Sequence, residues 1–247
     1  MKRALAAMAA ALSYFTIIPL GRFFASTAPD VSTLSFLPIV GALVGALSGT
    51  AGLCVWLVTH SALWTALVAW MASIALTGAI HVDGFLDSCD GLLVTATPSR
   101  RLEILRDPAH GTFAIAGMAM LAVVWIALLY GLDPRTLPLV LALSESLARL
   151  AALGCVWVFP NARGGAMGPP PNRIVAGSVA AAIVALAGFT YPIMLLAVLV
   201  VPAVTLTLGW WASRRLGGGL TGDVYGGLIV VGNVIALGIA ALGVTSR

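Results

Sequence analysis

Apolar runs long enough to cross the hydrocarbon core of a bilayer recur along the whole chain, at about 34–58, 62–80, 113–131, 137–158, 174–190, 192–210 and 224–244. Roughly 20 such residues span about 30 Å as a helix, and lipid tolerates only structures that satisfy their own backbone. The expected fold is therefore all-α: a polytopic integral membrane bundle of about seven spans, forming one domain over residues 1–247. Only 9% of the residues are charged, against roughly a quarter in soluble domains.

The first apolar stretch, about 4–18, is short, carries Ser13, Tyr14 and Thr16, and ends at Pro19. Lys2-Arg3 before it has the look of a signal peptide, but no small-residue cleavage site precedes a soluble mature region. Positive residues near span ends mark the cytoplasmic side. With a non-crossing amino-terminal segment, Lys2, Arg3, Arg22, Arg100, Arg101, Arg106, Arg163, Arg173, Arg214 and Arg215 fall on one side, and Arg135 and Arg247 on the other. Loops 81–112, 159–173 and 211–223 then face the cytoplasm of a bacterial inner membrane, with membrane lipid around the spans. That parity depends on a break at Gly188 to Pro192; one long helix over 174–210 would reverse it. The net charge of +4 is explained by this topology, so nucleic acid is not an expected partner. Cys54, Cys89 and Cys155 follow no metal or disulfide spacing and read as reduced thiols.

The unusual chemistry collects in those three loops. His81-Val-Asp83-Gly-Phe-Leu-Asp87-Ser-Cys-Asp90-Gly91 spends three of only nine acidic side chains within a few residues. On a helix, steps of four and three put the three aspartates on one face, about 5–6 Å apart. Like charges that close call for a cation, and magnesium is commonly held by one or two carboxylates together with substrate phosphates. Two other readings stand beside it: a solubilising helix end, and an ion path of the kind that carboxylates mark in transporters. Arg100 and Arg101 read as topology and headgroup residues. Arg106 can grip phosphate oxygens, Asp107 can bind metal or orient a hydroxyl, and His110 reads as a hydrogen-bonding loop residue.

Glu145 and Arg149 are four apart inside an apolar run, so they share a helix face and need partners. A mutual ion pair and a substrate-binding role are equally open. Pro160-Asn-Ala-Arg163-Gly164 offers a bidentate phosphate grip through Arg163. Gly217-Gly218-Gly219-Leu-Thr221-Gly-Asp223 leads into a helix amino end, a ready anion site, with Thr221 or Asp223 as cap and Asp223 near enough to join the metal cluster. A flexible linker is the bland alternative.

Taken together and in order, His-x-Asp-Gly-x-x-Asp-x-x-Asp-Gly, Arg-Asp-Pro-x-x-Gly-Thr-Phe, Pro-x-Ala-Arg and Gly-Gly-x-Thr-Gly-Asp resemble the cobalamin synthase family, the adenosylcobinamide-GDP ribazoletransferases. Phe15-Thr-Ile-Ile-Pro19 and Leu37-Pro-Ile-Val-Gly41 are similar to the family's opening. Three positions depart from the pattern: Ala114 for glycine, Asn161 for an aromatic residue, and Ala148 for serine. None removes a carboxylate. The resemblance implies transfer of the cobinamide phosphate of adenosylcobinamide-GDP to α-ribazole, or α-ribazole 5′-phosphate, with release of GMP. It also implies Mg²⁺ on Asp83, Asp87 and Asp90, with Asp223 or Asp107 as further ligand or base, and His81 as another base candidate. Arg106, Arg149 and Arg163 would stabilise pyrophosphate charge, with Gly218, Gly219 and Thr221 lining the same substrate. A homo-oligomer is compatible with all of this. A phospholipid-forming alcohol phosphotransferase also uses spaced aspartates, but it places Ala-Arg inside the acidic motif, whereas Ala162-Arg163 lies far downstream. An ion-coupled transporter would need inverted repeats, and the two halves show none.

Overall fold

Long uncharged runs become long helices. The computed structural model describes residues 2–20, 31–164 and 171–245. Arg22, the 165–168 part of the loop after Arg163, and Arg247 lie outside the described residues. Eleven α-helices are present among the described residues: α1 (Lys2–Phe15), α2 (Val31–Leu34), α3 (Leu37–Thr59), α4 (Ala62–Leu76), α5 (Ile80–Leu93), α6 (Pro98–Ile104), α7 (Thr112–Tyr130), α8 (Leu137–Val158), α9 (Arg173–Thr190), α10 (Met194–Arg215) and α11 (Gly222–Thr245). Six of them, α3 and α7 to α11, are long and apolar enough to cross a membrane, and α4 with α5 passes the same test as a bent pair. The protein is a multi-pass helical membrane protein. The break after residue 188 is present, between Thr190 and Met194. The amino-terminal stretch is a short apolar helix, too short to be counted as a span.

One helix organises the bundle. α8 is the most enclosed of the spans, with 72% of its apolar window buried. Against it lies α3, where Gly41, Gly45 and Gly49 meet the carbonyls of Glu145, Leu141 and Leu137; a Cβ on any of the three would sit within 2.5 Å of oxygen. Without a hydrophobic drive between helices in lipid, such small-residue stripes let backbones touch and gain dispersion energy.

The expected loop at 81–112 is not a loop. The chain leaves α4 through Gly78 (φ 58°) and Ala79 (φ 62°), two successive left-handed residues, and α5 sets off at 90° to α4. The expected span over 62–80 thus stops at Leu76. Its terminal carbonyls are satisfied locally: Ala79 N–H donates to Ile74 O at 2.9 Å, and Ile17 N–H to Leu76 O at 2.9 Å. Non-helical backbone beside a span is tolerated where its polar groups find such partners within the protein. Ala79 carries the strain, because a Cβ in the left-handed region costs roughly 1–2 kcal/mol.

From there α5 packs along the first turns of α11. Gly84 lies so close that a Cβ would come within 2.5 Å of Asp223 O, and Gly226 and Gly227 make the matching flat on α11. The glycines of the acidic motif therefore serve helix packing rather than approach to a ligand: Gly91 likewise faces the Leu105 side chain. Gly84→Ala is expected to lower stability by about 1–3 kcal/mol, the usual cost of overpacking. Gly154→Ala, which meets open space, is its control. Thermal unfolding in detergent checks both, and equal melting temperatures would contradict the packing described.

Candidate functional site

α5 presents its acidic face at one end of the bundle, and the following segment folds back over it. Asp107 Oδ1 accepts from Ala109 N–H at 3.0 Å, forming the turn that delivers His110 to α5. His110 Nε2 lies 3.6 Å from Asp83 Oδ1, and its Nδ1 lies 3.7 Å from Asp87 Oδ1. Among the described residues, Asp83, Asp87 and His110 are the group able to hold a metal ion, each with a ligand atom within 4.8 Å of the others. Two carboxylates suit a hard divalent cation, and the imidazole adds one nitrogen donor. The donor set fits such an ion.

Asp90 shares the face but points elsewhere. Its two oxygens accept from Gly111 N–H at 2.5 Å and Ala114 N–H at 3.0 Å. Gly111, the cap position of α7, has no side chain to do this, so Asp90 caps α7 from another helix. That bond fixes the register of the 107–111 turn, and with it the position of His110.

The carboxyl end of α5 is secured by cations. Arg101 Nη1 donates to Gly91 O at 3.0 Å and Leu92 O at 2.7 Å, and Arg215 Nη1 donates to Leu92 O at 2.6 Å. Burial, and then the neighbouring Arg215 charge, hold the Arg101 guanidinium below the usual arginine range. Arg101 was expected at a headgroup; it is instead buried and neutralises the negative end of the α5 dipole.

The two remaining loops are joined to each other. Ala162 N–H donates to Leu220 O at 3.0 Å and Leu220 N–H to Pro160 O at 2.9 Å, an isolated parallel bridge. A Cβ on Gly219 would lie 2.5 Å from Pro160 O, so this glycine is required by the neighbouring loop. Gly218 (φ 121°) turns the chain, and Thr221 Oγ1 accepts from Val224 N–H at 3.4 Å as a cap of α11. The bridge brings Arg163 to Asp223: Arg163 Nη2 donates to Asp223 Oδ2 at 2.8 Å and to Leu105 O at 3.2 Å. Asn161, the departure from an aromatic residue, builds the turn by accepting from Arg163 N–H at 3.0 Å.

A cavity of about 390 Å³ opens beside these groups, lined among others by Phe15, His81, Asp83, Arg163, Asp223 and Ile229. Asp83, Arg163 and Asp223 are partly exposed at its mouth, while Phe15, His81 and Ile229 are buried. Arg106 is exposed at the end of α6, with no side-chain partner among the described residues. His81 is buried and stacked on Phe15, ring centroids 6.0 Å apart, which keeps it from solvent.

Arg149 does not reach this cavity. It is fully buried and pairs with Glu145 on the same helix, whose other oxygen accepts from Ser73 Oγ of α4 at 2.7 Å. The mutual ion pair is therefore present. Around it, the side chains of His81, Trp125, Arg149 and Asn233 line one small cavity, and each keeps a buried polar atom without a protein partner. Ser73 is a partner that residue pattern alone passes over, and His110, read from the sequence as a hydrogen-bonding loop residue, is brought against Asp83 and Asp87. The signal for His110 was its place after Asp107-Pro-Ala, in a turn directly before a span.

The four motifs thus converge on one end of the bundle, and comparison with known proteins decides the family. Residues 7–241 match the family model described as Cobalamin-5-phosphate synthase. The chain belongs to the Cobalamin-5-phosphate synthase family. Similar proteins named adenosylcobinamide-GDP ribazoletransferase occur in Deinococcus radiodurans, 36% identical over 99% of this chain and 88% of the relative, and in Geobacillus kaustophilus, 32% identical over 97% and 96%. A third, from Bradyrhizobium diazoefficiens, is 29% identical over 98% and 95%. No solved structure matches this chain of the Cobalamin-5-phosphate synthase family.

Proposed function

We propose that the protein transfers the cobinamide phosphate of adenosylcobinamide-GDP to a ribose hydroxyl of α-ribazole or its 5′-phosphate, releasing GMP. The observation that carries this reading is that Asp83, grouped with Asp87 and His110, lines the same cavity as the Arg163–Asp223 pair, in a chain whose relatives bear that transferase name.

The reaction asks for a bound acceptor, a neutralised pyrophosphate and a path for one proton. The ribose oxygen bonds to the phosphorus on the cobinamide side, and the bond from that phosphorus to the bridging oxygen breaks. GMP departs with the bridging oxygen. Arg163 stabilises charge on the transferred phosphate, and Arg106 takes the departing one. Asp223 lines the cavity and has one oxygen not engaged by Arg163, so it accepts the hydroxyl proton. Asp83, Asp87 and His110 would hold Mg²⁺, which would supply neutralisation of the pyrophosphate charge. Asp107, through the turn it builds, acts by positioning His110. His81 is a wall residue in this scheme, and Arg149 a residue of the bundle interior.

Arg100, Arg106, Arg163, Arg214 and Arg215 belong to the same loops and helix ends as the acidic face, which supports a site on the cytoplasmic side of a bacterial inner membrane. Purified protein with lipid, Mg²⁺ and both substrates is expected to release GMP, to stop on chelation by EDTA and to recover on adding the ion back. Inside-out vesicles should turn over added substrates while sealed right-side-out vesicles do not. Absence of GMP with intact substrates and folded protein would end this reading.

A further inference from the structure

We infer that an apolar groove between α7 and α10 binds one anionic phospholipid, with an acyl chain in the groove and the phosphate on Arg214 and Arg215 at its end. This ligand is neither substrate nor metal, and its binding does not depend on the transfer reaction above. The groove measures about 610 Å³, within the roughly 300–1,000 Å³ of ligand sites. Its floor is the side of α5 that carries Phe85, Cys89 and Leu92, together with Leu228 and Val231 of α11. At 3.6 residues per turn, that side of α5 lies opposite Asp83, Asp87 and Asp90.

Length identifies the kind of occupant. On α7 the lining runs from Phe113 to Val124, and on α11 from Val224 to Val234. At 1.5 Å per residue these stretches rise about 16 and about 15 Å, half of the roughly 30 Å hydrocarbon core. The groove is therefore one leaflet deep, the reach of a single acyl chain. Both stretches begin at the end of the bundle that carries the acidic face: Phe113 follows the Gly111 that Asp90 caps, and Val224 follows Asp223. The rim residues Leu93, Phe113, Met120 and Val124 are exposed, while Leu92, Leu121 and Leu228 beneath them are buried, so the groove opens sideways, where a span meets lipid.

Polarity and charge complete the assignment. The one lining hydroxyl, on Ser88, donates to Gly84 O at 2.6 Å, so a ligand edged with amides would bury them unpaired. A hydrocarbon chain buries nothing polar. At the end of the groove the surroundings change sign. Arg215 Cζ stands 4.8 Å from the ring centroid of Trp211, which itself lines the groove, and Arg214 Cζ stands 4.3 Å from that of Trp210. Tryptophan beside arginine at the end of a span is the pattern of a residue belt at headgroup level. Arg101 and Arg215 both donate to the carbonyl of Leu92, another lining residue. Among the described residues no carboxylate pairs with Arg101, Arg214 or Arg215. Three guanidinium groups share one helix end, and a phosphate supplies the missing counter-charge. A zwitterionic headgroup would bring its own ammonium among these cations, whereas an anionic one does not.

The test reads bound lipid directly. The full chain is taken from nanodiscs of equal parts phosphatidylglycerol and phosphatidylethanolamine, and native mass spectrometry measures what stays bound. One phosphatidylglycerol is expected per chain, retained over phosphatidylethanolamine at least about tenfold. Arg214→Gln leaves the Arg215 bond to Leu92 in place and should lower that preference about fivefold, the weight of one arginine near a membrane surface. Ala116→Trp fills the groove from an exposed position on α7 and should abolish retention, while Ala119→Trp, exposed on the same helix but outside the groove, should keep it. Thermal unfolding checks that each variant is folded. Equal retention of the two lipids, or a preference unchanged in Arg214→Gln or Ala116→Trp, would overturn the inference. So would displacement of the lipid by adenosylcobinamide-GDP, which would give the groove to a substrate, or a dimer mass that Ala116→Trp removes, which would give it to a second copy of the chain.

Discussion

Asp87→Asn is expected to lower GMP release by about 10²–10³-fold, the loss seen when one preorganised charge-stabilising group is removed. Asparagine keeps the size of the side chain, so the loss is electrostatic. Asp87 is the better placed of the two carboxylates facing His110: its side chain is 15% exposed, against 64% for Asp83. A largely enclosed carboxylate is screened less by water and holds a cation in a more fixed geometry. The substitution should therefore weaken Mg²⁺ as well as turnover. Titrating the ion in the GMP assay reads the first effect, and rate at saturating ion reads the second. Turnover near that of the wild type at every Mg²⁺ concentration would remove the acidic face from the mechanism.

The second large effect is on stability. Arg149→Met is expected to cost about 3–5 kcal/mol, because it strands the Glu145 carboxylate inside the bundle with only Ser73 Oγ as partner. The double variant Glu145→Gln/Arg149→Met removes both charges and should recover most of that loss. The pair is enclosed on every side: Arg149 is 1% exposed, Glu145 is 2% exposed, and the Arg149 stem lies against Gly41 of α3. Equilibrium unfolding in detergent and denaturant measures the four corners of this cycle. If the single variant unfolds within about 1 kcal/mol of the wild type, the pair is not a partner-dependent charge. Since Arg149 does not line the cavity, KM for both substrates should be unchanged in whatever fraction stays folded.

These two sites also mark how far residue pattern could be read. The spans were legible because hydropathy dictates where a chain can enter lipid, and the break near Pro192 was legible because Gly and Pro interrupt a helix for reasons of backbone geometry. Glu145 and Arg149 were legible as a pair because four residues is one helical turn. The turn between α4 and α5 was not, since Thr77-Gly-Ala79 contains one glycine only, and the left-handed Ala79 is imposed by packing rather than favoured by its side chain. His110 was obscured for a related reason. Its position depends on Asp90 capping α7 across a helix boundary, and spacing within α5 says nothing of that bond. The same bond gives Asp90 a structural task, where pattern had grouped it with its two neighbours. The glycines before α11 resembled an anion-binding turn, yet Gly219 is set by the Pro160 and Ala162 backbone pressed against it.

The pairing of α5 with α11 also bears on how the molecule is made. Asp83 and Asp87 leave the ribosome early, but the flat of Gly226 and Gly227 that receives their helix, and the Asp223 that faces Arg163, belong to the last helix of the described chain. Until that helix inserts, the Gly84 side of α5 has no surface to pack against. Assembly of the acidic face and completion of the membrane bundle are then a single event, and a nascent chain carries the ingredients of phosphoryl transfer well before it carries the site.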